Sequence, residues 1–147
     1  MNTKIVLTMI VKNEGHVIER ALNSCYQMID SYCIVDTGST DNTKEIIKTF
    51  FDSKGIEGKI VDFEFTNFEE CRNQSILHGK DLGDYGFWMD ADEELKLDDN
   101  FNKNLFKQAL DTSKPDQLVI NCIYGGMRYN RAQFFNFKSD YNILNYL

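Results

Sequence analysis

The residues best suited to chemistry stand in the run Tyr85-Gly86-Phe87-Trp88-Met89-Asp90-Ala91-Asp92-Glu93-Glu94, where an apolar stretch ends in four carboxylates within five residues. If the extended chain continues through Asp90 and Asp92, their side chains point to one side and present two oxygens to one point at the strand's end. Oxygen-only donors select Mg²⁺ or Mn²⁺ over zinc or copper, and Mg²⁺ commonly binds through one or two carboxylates together with the phosphates of a substrate. A solvated acidic loop would have the same composition. Two further polar clusters follow apolar runs: Lys12-Asn13-Glu14 after Lys4 to Val11, and Asp36-Thr37-Gly38-Ser39 after Tyr32 to Val35. Their chemistry depends on whether the fold gathers them.

The elements that must do so can be read from periodicity. Residues Lys4 to Val11 are β-branched and nearly continuous in apolar character, as in a strand buried on both faces. Asn13 is placed to cap a helix in which Val17, Ile18, Ala21, Leu22, Cys25 and Ile29 recur at helical spacing. Tyr32 to Val35 predicts a second strand, and Asp41 to Phe51 a second helix capped by the hydroxyl of Ser39 or Thr40. Lys59 to Phe63 predicts a third strand, Asn67 to Leu77 a helix carrying Arg72, and the run before Asp90 a fourth strand. Strands separated by helices predict a mostly parallel α/β sheet, in which ligands bind at the carboxyl ends of the strands. All three polar clusters fall there. Downstream, Phe101 to Leu110 predicts a helix ending before Pro115, and Gln117 to Tyr124 a fifth strand. Gln133 to Phe137 predicts a sixth strand, antiparallel because the link is shorter than the dozen or so residues a parallel crossover needs. The tail from Lys138 to Leu147 is polar with scattered Tyr, Ile and Leu.

Composition limits the partners. The 147 residues suffice for one domain with a core, and 42% hydrophobic with 13% aromatic residues describes a globular chain. No apolar run approaches the ~18 residues of a membrane span, and no small-residue cleavage site follows the first apolar run, so the expected compartment is the cytoplasm. Four widely spaced cysteines without a Cys-x-x-Cys pattern, beside two histidines, predict buried thiols rather than zinc. A formal charge of −7 excludes a nucleic-acid face but admits a small anionic ligand screened by a cation.

The runs Met9-Ile10-Val11-Lys12-Asn13-Glu14, Ile34-Val35-Asp36-Thr37-Gly38-Ser39-Thr40-Asp41-Asn42-Thr43, Arg72-Asn73 and Met89-Asp90-Ala91-Asp92-Glu93, in this order, resemble the family 2 glycosyltransferases of GT-A fold, from about Lys4 to Leu97. The resemblance implies a GT-A-type, Rossmann-like, mostly parallel sheet flanked by helices. It implies one nucleotide-sugar-binding domain over residues 1–147, with truncation at the C-terminus left open. The implied reaction is an inverting, Mn²⁺- or Mg²⁺-dependent transfer of a sugar from a nucleotide diphosphate, most often UDP, to a hydroxyl of an unknown acceptor glycan, lipid or protein. Carried over by position, Ile10 and Lys12 would flank the uracil, Asp36 would contact base or ribose, and Arg72 would lie near base or phosphates. Asp92 would ligate the metal directly, and Asp90 would bind ribose or a metal-bound water. Many members carry two consecutive aspartates where this chain has Asp36-Thr37, which puts a base contact by the second carboxylate in question. The family's catalytic base comes from the acceptor-side half, and Asp116, Glu93 and Asp140 match no motif for it.

Bland roles stand beside these. Glu93 and Glu94 read as helix-start or solvated residues, Gly38 as a positive-φ turn, Trp88 as core, and His16 and His78 as surface residues in predicted helices. Tyr129 and Arg131 face the acceptor side by position alone. Rival functions are a donor-binding module without turnover, a sugar nucleotidyltransferase, a phosphotransferase of the haloacid dehalogenase type and a purely structural domain. The nucleotidyltransferase would need a Gly-rich, Arg-containing loop after the first strand, where Val11-Lys12-Asn13-Glu14 stands. The phosphotransferase would need its Asp-x-Asp after the first strand rather than the fourth.

Overall fold

The structure, a computed structural model, describes residues 3–139. Six strands and four helices follow in the order β1 (Ile5–Val11), α1 (Ile18–Cys25), β2 (Ser31–Asp36), α2 (Thr43–Lys54), β3 (Glu57–Asp62), α3 (Phe68–Gly79), β4 (Tyr85–Trp88), α4 (Lys103–Ser113), β5 (Gln117–Tyr124) and β6 (Met127–Asn136). They build one six-stranded sheet in the order β3-β2-β1-β4-β6-β5. The first four strands are parallel, whereas β6 runs antiparallel to both β4 and β5. The fold is therefore the mixed α/β arrangement expected, with its antiparallel part at the C-terminal side.

The apolar runs form strands because both sheet faces are covered. Ile5, Leu7, Met9 and Val11 join Ile18, Leu22, Ile47 and Phe51 of α1 and α2 in the main core. The alternate residues face α3, where a Cβ added to Gly79 would stand 3.5 Å from Cys33 Cβ and 3.6 Å from Thr8 Cγ2. Helix α4 closes the C-terminal side through Phe106, whose ring meets that of Phe134 at 5.5 Å. Gly86 is required where β4 meets β6, since a Cβ there would lie 2.5 Å from Phe135 Cζ. Cys25, Cys33 and Cys71 are buried free thiols, and Cys122 is half-buried. Burial pushes the Cys25 thiol up to about 12 and that of Cys33 to about 11, which keeps both protonated and inert. No helix among the described residues is long and apolar enough to cross a membrane.

Three local expectations are corrected. Asn13 does not cap α1, whose N-cap is Val17 without a side-chain bond. Instead Asn13 has φ 52° and its Oδ1 accepts from the amides of Thr40 and Asp41, tying the loop after β1 to the loop after β2. The hydroxyl of Ser39 accepts from Asn13 N–H rather than capping α2, whose first turn is held by Asp41 accepting from Thr43 N–H. Strand β6 is longer than expected because its first half extends the β5 hairpin through polar and exposed residues that carry no apolar alternation.

Candidate functional site

The strand order sets β2, β1 and β4 side by side, with Val11 in register with Asp36 and Thr8 with Trp88. The carboxyl ends of β2 and β4 are thus separated by one strand, about 10 Å sideways, and β4 ends three residues short of β2 in register. Asp36 closes β2 and is 1% exposed. Its Oδ1 accepts from Gly38 N–H at 2.9 Å and Ser39 N–H at 2.8 Å, and Gly38 has φ 110°, so the turn folds back over the carboxylate. Thr37 is buried, with both its amide and its hydroxyl donating to the Val11 carbonyl. Ile10 is half-buried at the end of β1, and Lys12 is exposed just beyond it.

On β4 the chain leaves the extended conformation after Trp88. Asp90-Ala91-Asp92-Glu93 is a turn closed by Glu93 N–H donating to the Asp90 carbonyl at 3.0 Å. The expected strand-end presentation of Asp90 and Asp92 on one side is therefore replaced by a turn, with Asp90 half-buried and Asp92 exposed. Asp90 faces guanidinium groups: Arg131 Nη2 of β6 lies 3.7 Å from its Oδ2. Burial above all, then the charges of Glu93 and Asp92, hold the Asp90 carboxyl above its usual range, although Arg131 and Arg72 pull it down.

Arg72 comes from α3, where Arg72, Ser75 and Gly79 recur every three or four residues and so share the face turned to the sheet. Its guanidinium carbon stands 3.4 Å from the centre of the Trp88 ring, and that of Arg131 4.4 Å from the same ring. Burial depresses the Arg72 value to about 10, with Asp90 opposing and Arg131 adding to the depression. It remains a cation at neutral pH. Between Arg72, Trp88, Thr8 and Ser75 lies a cavity of only about 20 Å³. Four buried side-chain atoms among the described residues lack a hydrogen-bond partner: Asp36 Oδ2, Arg72 Nε, Trp88 Nε1 and Arg131 Nε. Three of them gather where Arg72 and Arg131 stack on Trp88, and the fourth, on Asp36, closes β2 two strands away; buried polar groups of this kind are usually paired.

The model for Glycosyl transferase family 2 matches residues 7–141. The chain belongs to that family. An uncharacterized glycosyltransferase of Rickettsia typhi is 28% identical to this family 2 chain over 130 residues, which is 87% of the chain and 42% of the relative. Crystal structures with the same GT-A fold include S. aureus TarS 1-349 in complex with UDP-GlcNAc, with a TM-score of 0.65 and 23% identity over 85% of the chain and 36% of TarS. The mannosyltransferase PcManGT from Pyrobaculum calidifontis, in complex with GDP-Man and Mn²⁺, superposes with a TM-score of 0.62 and 18% identity over 84% of the chain and 36% of PcManGT. The family 2 chain spans 22% to 42% of the length of the curated relatives it matches.

Ile10, Lys12, Asp36, Thr37, Asp90 and Asp92, expected at strand ends, have their backbones at neighbouring carboxyl ends in the family 2 chain, and Arg72, expected on a helix, lies on α3. Sequence reasoning missed how three residues act together. Glu93 is neither a helix-start nor a solvated residue: its Oε1 takes Arg131 Nη2 at 2.6 Å, and its Oε2 takes Gln133 Nε2 at 3.1 Å and Asp90 N–H at 3.3 Å. Gln133 also donates to the Trp88 carbonyl at 3.0 Å. Trp88 is buried as expected, yet it serves as a platform for two cations rather than as plain core. Glu94 pairs with Arg20 at 2.8 Å on the surface. Arg131 lies outside the sixth strand expected from Gln133 to Phe137, so the sequence carries no signal that joins it to Gln133; only the longer β6 puts both on one strand.

No three His, Cys, Asp or Glu residues converge into a ready cation site among the described residues. Asp90 and Asp92 nonetheless suit a hard dication completed by substrate phosphates. They supply oxygen donors only, and burial first, then the charges of Glu93 and Asp92, disfavour the Asp90 carboxylate in a way that a cation would relieve.

Proposed function

We propose that this chain is the donor-binding domain of an inverting, metal-dependent glycosyltransferase that moves a sugar from a nucleoside diphosphate, in first place uridine diphosphate, to an acceptor hydroxyl. The observation that carries the proposal is the stacking of Arg72 and Arg131 on Trp88 at the end of β4, beside Asp90, with a buried nitrogen of each of the three left unpartnered. In this reading Ile10 and Lys12 flank the base, and Asp36 binds base or ribose. Thr37 offers only its lone pairs, since its hydroxyl proton is committed to the Val11 carbonyl. Arg72 attracts the phosphates with a charge that burial in a dry pocket strengthens. Asp92 and Asp90 would hold Mn²⁺ or Mg²⁺. Bound there, the dication would stabilise the charge that grows on the departing diphosphate, which lowers the barrier more than it lowers the ground state.

Titration calorimetry with UDP, with and without Mn²⁺, tests the binding, and transfer or hydrolysis of UDP-sugars tests turnover. Absence of UDP binding under both conditions refutes the proposal. The share of its relatives' length that the chain spans favours a second reading, a donor-binding part that binds without turning over. Mn²⁺-dependent UDP binding without transfer or hydrolysis selects that reading.

A further inference from the structure

The acidic turn after β4 has two hydrogen bonds of its own, Glu93 N–H to the Asp90 carbonyl and Asp90 N–H to Glu93 Oε2, and the remaining partners of the Glu93 carboxylate arrive from β6, some forty residues along the chain. Arg131 Nη2 donates to Glu93 Oε1 at 2.6 Å while standing 3.7 Å from Asp90 Oδ2. Gln133 anchors the same carboxylate through Oε2 and pins the end of β4 by donating to the Trp88 carbonyl. Glu93 in turn accepts the Asp90 amide. The chain of contacts thus runs from β6 through Glu93 to the backbone of Asp90. Arg131 and Gln133 both reach the turn from a stretch of β6 whose register with β5 shifts between Leu118 and Val119, so that Gln133 falls in the gap between the pairs Val119 with Ala132 and Leu118 with Phe134. Such bulges re-aim side chains next to functional sites.

Resting on the donor-site reading above, we infer that Arg131 is the positioning residue of the acidic turn: acting through Glu93, with Gln133 beside it, it holds Asp90 where a divalent cation and a diphosphate can meet it. Glu93 is then a strut and not a metal ligand. Both its oxygens accept hydrogen bonds, whereas the Asp90 carboxylate has only the longer ion pair with Arg131 at 3.7 Å. A fork-shaped guanidinium suits this post because it can bond one carboxylate and face a second while lying over Trp88, which a lysine ammonium cannot do. Residues that orient the first ring of ligands in this way cost about 10–100-fold in metal affinity when removed.

The test measures UDP affinity with and without Mn²⁺ for the native chain, Arg131→Ala, Arg131→Lys, Glu93→Ala and the double variant, together with melting temperatures without ligand. The expected result is that Arg131→Ala loses about 10–100-fold of the Mn²⁺-dependent gain in UDP affinity, a larger loss than it suffers in metal-free UDP affinity. Arg131→Lys is expected to fall between the two, and the double variant to be no worse than Arg131→Ala, since the pair acts as a unit. Retention of the full Mn²⁺ gain by Arg131→Ala overturns the inference. An equal loss of affinity with and without metal also overturns it, because that pattern marks plain packing. If Arg131→Ala fails to fold, the same comparison on Arg131→Lys decides: a selective loss of the Mn²⁺ gain supports the inference, and full retention overturns it. If the native chain itself binds UDP with no Mn²⁺ gain, the metal part of the donor-site reading has failed, and the inference falls with it.

Discussion

Replacing Asp36 separates its two possible tasks, holding the loop after β2 and binding the donor. The carboxylate is buried, with one oxygen accepting two successive amides at 2.9 and 2.8 Å and the other unpartnered. Hydrogen bonds to a charged acceptor contribute about 1.5–3 kcal/mol each, and two on a single oxygen are not independent. Asp36→Ala removes both and strands two amides, so a loss of about 3 kcal/mol is expected. For a chain of this size that lowers Tm by about 6–12 °C. Asp36→Asn keeps an oxygen for the same two amides, and neutral bonds are roughly half as strong, so about 1–2 kcal/mol and about 2–8 °C are expected. UDP affinity should order differently. If the carboxylate contacts base or ribose, the asparagine variant loses at least about tenfold in affinity although most of its stability remains. Thermal melts of the three proteins without ligand, followed by calorimetry with UDP and Mn²⁺, make both comparisons. An alanine variant that melts within a degree of the native chain would refute the loop argument. An asparagine variant with native UDP affinity would reduce Asp36 to a turn residue.

The other substitutions test the opposite side of the site. Asp92→Ala should leave the ligand-free Tm unchanged, because only the Asp92 carbonyl is engaged, by Arg20 at 3.4 Å; it should abolish the Mn²⁺-dependent part of the UDP-induced shift. A ligand at 100 times its dissociation constant stabilises by about 2.7 kcal/mol, so the shift is measurable in a thermal melt. Arg72→Ala should weaken UDP binding and change the emission of Trp88, the single tryptophan of the chain, since the guanidinium lies 3.4 Å from the ring centre; unchanged emission would contradict the stacking. The Asp90 carboxyl is held above its ordinary value, so the folded chain binds more protons than the unfolded one between the two values, and stability falls as pH rises through that window. Asp90→Asn should therefore melt higher than the native chain near neutral pH and lose that advantage below the ordinary carboxylate range. Asp30 has the opposite sign: burial pushes its carboxyl up, but Lys107, the Ile5 amide and Lys103 outweigh burial and the net direction is down. Its contribution is present above the ordinary value and lost as pH falls through the lowered one, so Asp30→Asn should cost stability at neutral pH and nothing in strong acid.

What could be read in the sequence was whatever depends on neighbours along the chain. The β-branched run of β1, the short apolar run of β2 and the helical spacing of α1 are local patterns, and each element appears where they place it. The ordered motifs carried the family for the same reason. The internal arrangement of the site depends on contacts between distant segments, and there local reading failed. Asn13 looks like a helix cap until the loop after β2 arrives to take its side chain. Asp90 and Asp92 look like a strand-end pair until Glu93 N–H closes the turn. Glu93 looks solvated because its three partners, Arg131, Gln133 and the Asp90 amide, converge only after β6 has paired with β4. The first half of β6 was missed since an exposed hairpin has no face to bury and so shows no alternation.

The charges at the end of β4 indicate why a cation and Arg131 belong to one argument. Three carboxylates, on Asp90, Asp92 and Glu93, stand with two guanidiniums, on Arg72 and Arg131, leaving one net negative charge where an anionic diphosphate would have to sit. Attraction between Arg72 and a phosphate is therefore opposed in the free chain. In the proposed reading one dication at Asp90 and Asp92 would reverse the sign of the balance and leave one positive charge to meet the diphosphate. Without Arg131 the same dication would bring the site only to neutrality, and Glu93 would lose the partner that keeps it away from the metal. Donor affinity, metal affinity and the ion pair on β6 are thus coupled through one local charge balance. The antiparallel strand, added after the parallel sheet is complete, supplies the positive charge that decides its sign.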